Sequence, residues 1–312
     1  MSESTDPQRR VAAIIGGGTM GGDIAAVFLA GAWTAHVVSP SGRTRDSLPG
    51  RIARALAAVD APPEAVTRAI AHAALDSIDW ASIDLVVEAV TEDLALKQDL
   101  FRRLEEQVKP DTPLATNTST FAIGRIAEAL RHKHRLVGTH FFMPAHLVPL
   151  VEVVSSEHTD AAVAESMLAL LQGLGKMPIW VRKDVPGFVG NRIQHAMMRE
   201  ALYLLEDGVA TAEEIDTAVR FGFGFRFMAC GPILQKEMSG WDTNQLAAAA
   251  LYPHLHNEAG FPPGLERRVM EGRTGMKALK GIWEWTAADA AQTRERIERR
   301  LRAALALLEA EP

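Results

Sequence analysis

The chain has 312 residues, 47% of them hydrophobic and 23% charged, with a formal net charge of -6. That length exceeds one small core and suits two domains, or one large α/β domain with an appendage. The acidic balance gives no basis for polyanion binding, so no nucleic-acid partner is expected, and the single cysteine, Cys230, rules out an intrachain disulfide or a multi-thiolate metal site and fits a reducing, cytoplasmic setting.

Met1 to Arg10 is polar and lacks the apolar stretch of a secretory leader, and no later run reaches about 18 uninterrupted apolar residues. A soluble protein with no membrane span is expected. Val11 to Ile15 is a short apolar run ended by Gly16-Gly17-Gly18-Thr19-Met20-Gly21-Gly22, after which Asp23 to Ala30 reads as a buried helix. Gly16, Gly18 and Gly21 satisfy G-x-G-x-x-G between a strand and a helix. The first glycine permits the tight turn, the second admits a pyrophosphate against the backbone, and the third lets helix and strand pack closely. This spacing predicts a dinucleotide site at the start of the chain. The next strand, Ala35 to Val38, ends at Ser39, where an NAD-binding fold usually carries an acid for the ribose hydroxyls. Ser39 with the guanidiniums of Arg43 and Arg45 offers chemistry suited to a 2′-phosphate, so NADP stays open beside NAD.

Leu48 to His72 reads as helical, interrupted at Pro62-Pro63. Asp84 to Val90 is a mostly apolar strand that leads through Thr91-Glu92-Asp93 into a helix from Leu94 to Val108. Glu92 and Lys97 therefore stand at a strand end and in the first turns of a helix, the crevice where doubly wound sheets take their ligands. Leu114 to Thr116 is a further strand, ending on Asn117-Thr118-Ser119-Thr120, and Ser119 is either a substrate contact or the cap of the next helix. Arg131-His132-Lys133-His134-Arg135 reads as a solvated helix end, with His132, His134 and His146 at the surface. His140 and Glu152 lie on either side of a loop containing Pro144 and Pro149 that can fold the strand back. With Ser119 they make a hydroxyl, an imidazole and a carboxylate, the minimum set for moving a proton while a hydride moves elsewhere.

Several of these stretches occur in the order seen in L-3-hydroxyacyl-CoA dehydrogenases: Gly16 to Gly21, Val87-Glu88-Ala89-Val90-Thr91-Glu92-Asp93 with Lys97, Asn117-Thr118-Ser119, His140-Phe141-Phe142, Leu150-Val151-Glu152-Val153, and Lys183-Asp184-Val185-Pro186-Gly187-Phe188-Val189-Gly190-Asn191-Arg192. Through nearly its whole length the chain resembles that family, which also takes in non-CoA relatives such as L-gulonate 3-dehydrogenase (lambda-crystallin), carnitine dehydrogenase and diketoreductase. The resemblance implies an α/β fold with an N-terminal Rossmann-type doubly wound sheet over residues 1–185. An all-α domain over residues 186–312 follows, closing on the substrate and forming a homodimer. It implies His140 as general base, Glu152 as the carboxylate that orients it, and Ser119 and Asn191 as groups that hold the substrate oxygen. The expected cofactor contacts are Gly16, Gly18, Thr19, Met20, Gly21, Ser39, Arg43, Glu92, Lys97 and Asn117, with no metal. Physical chemistry agrees: an imidazole titrating near neutrality can take the hydroxyl proton, and a carboxylate on its other nitrogen fixes the tautomer.

Three departures from the family stand out. Met143 replaces the asparagine of His-Phe-Phe-Asn-Pro, so a thioether stands where an amide donates. Ser39 replaces the acid. The segment between Ser39 and Glu88 is shorter than in the mitochondrial-type CoA enzymes and contains no lysine, whereas theirs is lysine-rich and engages CoA.

Beyond Lys183 the pattern is helical. Asn191 to Asp207 is expected as a helix ended at Gly208, Thr211-Ala212-Glu213-Glu214 as a capping box, and Ala287 to Glu311 as a charged amphipathic helix. Phe221 to Met228 is unusually aromatic and reads as core and dimer interface in preference to a substrate wall. Arg226 and Lys236 are suited to a free carboxylate. The expected activity is NAD(P)-dependent oxidoreduction between 3-hydroxy and 3-oxo forms of an acyl-CoA or short hydroxy acid. The alternatives are a dehydrogenase of a small non-CoA hydroxy acid or hydroxy ketone, and a non-catalytic, crystallin-like protein.

Overall fold

The computed structural model describes residues 10–309; the polar start up to residue 9, and residues 310 and 311 of the expected terminal helix, lie outside the described residues. The chain divides into two compact units, residues through Asn191 with Leu301–Ala306, and Arg192–Arg300 with the residues from Leu307 onward. The division thus follows Asn191, against an expected boundary at residue 185.

The first unit contains β1 (Val11–Ile15), α1 (Thr19–Ala30), β2 (Thr34–Val38), α2 (Gly42–Ala58), β3 (Ala69–His72), β4 (Leu85–Glu88), α3 (Leu94–Gln107), β5 (Leu114–Thr116), α4 (Ile123–Ala127), β6 (Leu136–Phe141), β7 (Leu150–Val154), α5 (Ala161–Gly173) and β8 (Met177–Val181). The strands form one sheet in the order β3-β2-β1-β4-β5-β6-β7-β8. Every neighbouring pair is parallel except β6 with β7. Helices cover both faces, so β1 is apolar at every position: Ala12 and Ile14 join the cluster packed under α1 and α2, while Ala13 and Ile15 join the one packed under α3 and α4. The strand order reverses between β1 and β4, and the glycine turn leaves β1 there, at the crevice outside the carboxyl ends of the strands.

Two stretches differ from expectation. Ala69–His72 is a strand, because α2 stops at Ala58, a 3₁₀ segment spans Pro63–Arg68, and the following residues pair in parallel with β2. As an edge strand it leaves Ile70 42% exposed, so it carries no buried apolar face for a sequence to advertise. Arg135 is buried at 3% exposure, its guanidinium donating to the Lys109 carbonyl at 2.8 Å and meeting Glu105 at 3.8 Å, while Arg131, His132 and His134 are exposed as expected.

The helices that follow are α6 (Gly190–Glu206), α7 (Ala212–Phe221), α8 (Phe223–Arg226), α9 (Pro232–Ser239), α10 (Trp241–Leu251), α11 (Pro263–Met270) and α12 (Ala287–Glu309). Gly208, at φ +67°, follows the end of α6 where a left-handed residue is needed, and Thr211 with Glu214 forms the expected capping box of α7. No helix among the described residues is long and apolar enough to cross a membrane.

Candidate active site

The switch from parallel to antiparallel pairing at β6 and β7 puts His140 directly opposite Glu152 in register. Opposed residues of an antiparallel pair project from the same face, within reach of each other. His140 Nδ1 lies 2.7 Å from Glu152 Oε2. Glu152 Oε1 accepts from the backbone amides of Val189 at 2.9 Å and Gly190 at 2.8 Å. Burial alone would raise the proton affinity of this fully buried carboxylate, but the His140 hydrogen bond and the two amides outweigh it and hold Glu152 below the usual carboxylate range. An ionised Glu152 makes Nδ1 the protonated ring nitrogen, leaving Nε2 as the acceptor. The rings of Phe142 and Phe188, centred 4.6 and 5.6 Å from the imidazole, flank it and leave His140 5% exposed. Asn191 follows the amide held by Glu152 and opens α6. Gly190 is required there, since a Cβ would stand 2.5 Å from the Phe142 ring.

The Ser119 loop is tied to this hairpin and, through Glu92 at the surface, to the buried Lys97–Glu88 pair. Asn117 Oδ1 accepts from the Phe141 amide at 2.9 Å, which fixes the loop after β5 beside His140. Ser119 caps no helix, since α4 begins at Ile123 behind Ala122. Its amide donates to Glu92 Oε1 at 2.7 Å, and its hydroxyl lies 3.3 Å from the same oxygen. Burial acts to raise the Glu92 proton affinity, yet the Ser119 amide, the Lys97 charge and the Thr118 hydroxyl together lower it. Lys97 is 1% exposed and its ammonium bridges Glu92 at 3.2 Å and Glu88 at 2.7 Å. Glu88 is fully buried and also accepts from the Thr116 hydroxyl at 2.6 Å and the Val90 amide at 2.7 Å.

The glycine turn fits a dinucleotide. Gly16 has φ +116° and packs against the Ala89 carbonyl, and a Cβ on Gly21 would strike the Gly16 oxygen, so both positions demand glycine. At Gly18 a Cβ would meet open space, and α1 starts there with no side-chain cap, leaving its first amides and the positive end of the helix dipole for a pyrophosphate. Thr19 is exposed and Met20 packs partly into the core. Ser39 is 6% exposed at the end of β2, Arg43 is exposed, and Arg45 donates to the carbonyls of Ser39 at 2.6 Å and Pro40 at 2.8 Å, which commits one of the guanidiniums considered for a 2′-phosphate to the backbone.

Sequence reasoning missed several groups. Arg51 of α2 donates to the Gly17 carbonyl at 2.5 Å and the Gly18 carbonyl at 2.9 Å, strapping the pyrophosphate turn from behind. The amides of Val189 and Gly190 carry no side-chain signal at all. His146 is 11% exposed and lies 3.3 Å from Asp23, so it is no surface residue. Glu88 had a detectable signal, an acid closing an apolar strand with a lysine nine residues on. Without Lys97 the fully buried Glu88 would lose its counter-charge, so Lys97→Met is expected to lose about 3–5 kcal/mol at pH 7 by urea denaturation. Glu92, held below the usual carboxylate range partly by the Lys97 charge, would lose that part of its depression. The deficit should therefore shrink as the pH falls towards the unfolded carboxylate value of about 4.3; a pH-independent deficit would contradict this account.

Comparison with known proteins divides the chain near the expected boundary at residue 185. The profile described as 3-hydroxyacyl-CoA dehydrogenase, NAD binding domain, matches residues 11–185, and that of the 3-hydroxyacyl-CoA dehydrogenase C-terminal domain matches residues 187–285. The sequence is 30% identical over 285 residues to 5-formyl-3-hydroxy-2-methylpyridine 4-carboxylate 5-dehydrogenase of Mesorhizobium japonicum, covering 88% of this chain and 90% of that protein. A crystal structure of such a dehydrogenase, described as an NAD+ dependent dismutase, superposes with a TM-score of 0.89 at 29% identity, over 97% of this chain and all of that one. The (S)-3-hydroxybutyryl-CoA dehydrogenase of Ralstonia eutropha superposes at 0.71 with 28% identity, over 89% of this chain and 99% of that one. With both profiles matched in order along residues 11–285, the chain belongs to the 3-hydroxyacyl-CoA dehydrogenase family and is an NAD-dependent oxidoreductase.

Proposed function

We propose that the protein interconverts the 3-hydroxy and 3-oxo forms of an acyl substrate, with His140 as the general base. The observation that carries this reading is the 2.7 Å bond between His140 Nδ1 and the buried Glu152 carboxylate, which leaves Nε2 to exchange a proton. Bound over the glycine turn, NAD supplies the hydride chemistry. In oxidation His140 Nε2 takes the hydroxyl proton, and Glu152 stabilises the imidazolium that results. Ser119 and Asn191 bond the oxygen as it changes from hydroxyl to carbonyl. Gly16, Gly18, Thr19, Met20, Gly21, Ser39, Arg43, Glu92 and Asn117 serve the cofactor, and Lys97 acts on it through Glu92. A crystallin-like, non-catalytic role would give no use to a dry His–Glu pair next to a dinucleotide turn. A single cysteine supports a cytoplasmic location.

A second reading, a small carboxylate-bearing substrate without CoA, is favoured by one comparison. The pyridine-carboxylate dehydrogenase superposes at 0.89, and the 3-hydroxybutyryl-CoA enzyme at 0.71. Met143, 70% exposed, and the lysine-free stretch from Ser39 to Glu88 point the same way.

The helical part is proposed to pair with a second copy of the chain. Among the described residues from 192 onward, Leu265 and Ala290 are the buried hydrophobic residues, while Met238, Leu246, Phe221 and Phe225 are 78, 75, 70 and 69% exposed. Apolar surface on that scale needs a partner. An apolar recess of about 610 Å³ is lined by Phe225, Met228, Cys230, Met238 and Leu307, two of these exposed residues among them, and contains none of the residues around His140.

His140→Gln is expected to reduce turnover at least about a hundredfold while NADH titration stays unchanged; near-normal turnover would remove His140 from the mechanism. With NADH, acetoacetyl-CoA should be reduced faster than free acetoacetate, and the reverse order would move the assignment to the second reading. Light scattering should give twice the chain mass, and Phe225→Glu should yield a monomer; a monomeric parent protein would refute the pairing.

A further inference from the structure

A buried cation that plays no part in hydride or proton transfer sits against the loop joining the two halves of the acid–base pair. Lys176, in the turn between α5 and β8, is 5% exposed. Its ammonium donates to the carbonyl oxygens of Ala145 at 2.6 Å, Val148 at 3.1 Å and His146 at 3.4 Å. These residues lie in the loop 142–149, which carries the chain from the His140 strand to the Glu152 strand. The same loop is held by Asp23, which accepts from the Ala145 amide at 3.2 Å and stands 3.3 Å from His146 Nδ1. Asp23 belongs to α1, the helix whose amino terminus is the glycine turn. Removing an ammonium from water costs several kcal/mol, so a lysine in this position needs a structural return.

We propose that Lys176 and Asp23 form a clamp that fixes the His140–Glu152 hairpin relative to the pyrophosphate-binding helix, making Lys176 a positioning residue for proton transfer. The proposal rests on His140 being the base. An ammonium has three N–H groups, one for each of the three carbonyls. A neutral amine has two and a lone pair, so one carbonyl would lose its donor and face that lone pair. Burial lowers the Lys176 pKa to about 8, and the Asp23 charge opposes the fall. The titratable groups facing the ammonium are Asp23 on α1 and His146 on the loop. The clamp is therefore closed below about pH 8 and opens above it.

The test is the pH profile of kcat for NAD-linked alcohol oxidation. The rate should fall near pH 8 as Lys176 loses its proton. Asp23→Asn keeps an acceptor for the Ala145 amide but removes the charge, and should move the falling limb about one unit to lower pH. Lys176→Met should lower kcat about tenfold or more at pH 7, with a smaller change in the KM for NAD, and should abolish the falling limb. A parent profile without the falling limb, an unmoved limb in Asp23→Asn, or a persistent limb in Lys176→Met would each overturn the clamp. Where Lys176→Met does not fold, the Asp23→Asn shift decides alone. His140→Gln run alongside separates the two ideas, because near-normal turnover there sinks the base assignment itself whatever the limb does.

Discussion

The Glu152 carboxylate is the point on which the site depends. One oxygen holds the His140 ring and the other holds the amides of Val189 and Gly190, so a single buried group sets the tautomer of the imidazole and anchors the turn that precedes Asn191. It stays ionised because amide dipoles and the hydrogen bond and charge of the His140 ring replace the water it has lost. Removing any of these partners would leave a charge in a dry place, which costs more than a net hydrogen bond contributes.

That arrangement follows from one change in sheet topology. Parallel pairing carries β1, β4, β5 and β6 to a common carboxyl edge, where the glycine turn, the Glu88–Lys97–Glu92 chain and the Ser119 loop gather. Antiparallel pairing of β7 then folds Glu152 back onto His140 instead of sending it to the far side of the sheet through a helical crossover. Charged side chains recur at both ends of the sheet, each holding a loop that would otherwise have unsatisfied backbone groups. Glu105 accepts from the amides of Arg131 at 3.0 Å and His132 at 2.8 Å, Arg51 holds the glycine turn, and Lys176 holds the loop inside the hairpin. The loops around the His140–Glu152 pair are thus held by backbone hydrogen bonds to fixed charges.

The helical part obeys a different rule. Its helices carry caps and amphipathic patterns legible one turn at a time, yet they leave most of their large apolar residues exposed in a single chain. Their stability is tied to what covers those faces.

The amino-acid sequence by itself determined what depends on near neighbours. The spacing of Gly16, Gly18 and Gly21, the capping box at Thr211 and Glu214, the stop at Gly208 and the apolar strands on either side of His140 and Glu152 are all set within a few residues, by sterics and by periods of two or 3.6. Tertiary structure alone decided the rest. That Lys97 neutralises Glu88, that Arg135 is buried against Glu105, that Ala69–His72 becomes an edge strand and that Glu152 reaches the amides of Val189 and Gly190 depend on partners separated in sequence by no regular interval. A polar side chain's role is fixed by which unsatisfied group the fold brings to it, and the chain order of residues carries no record of that distance.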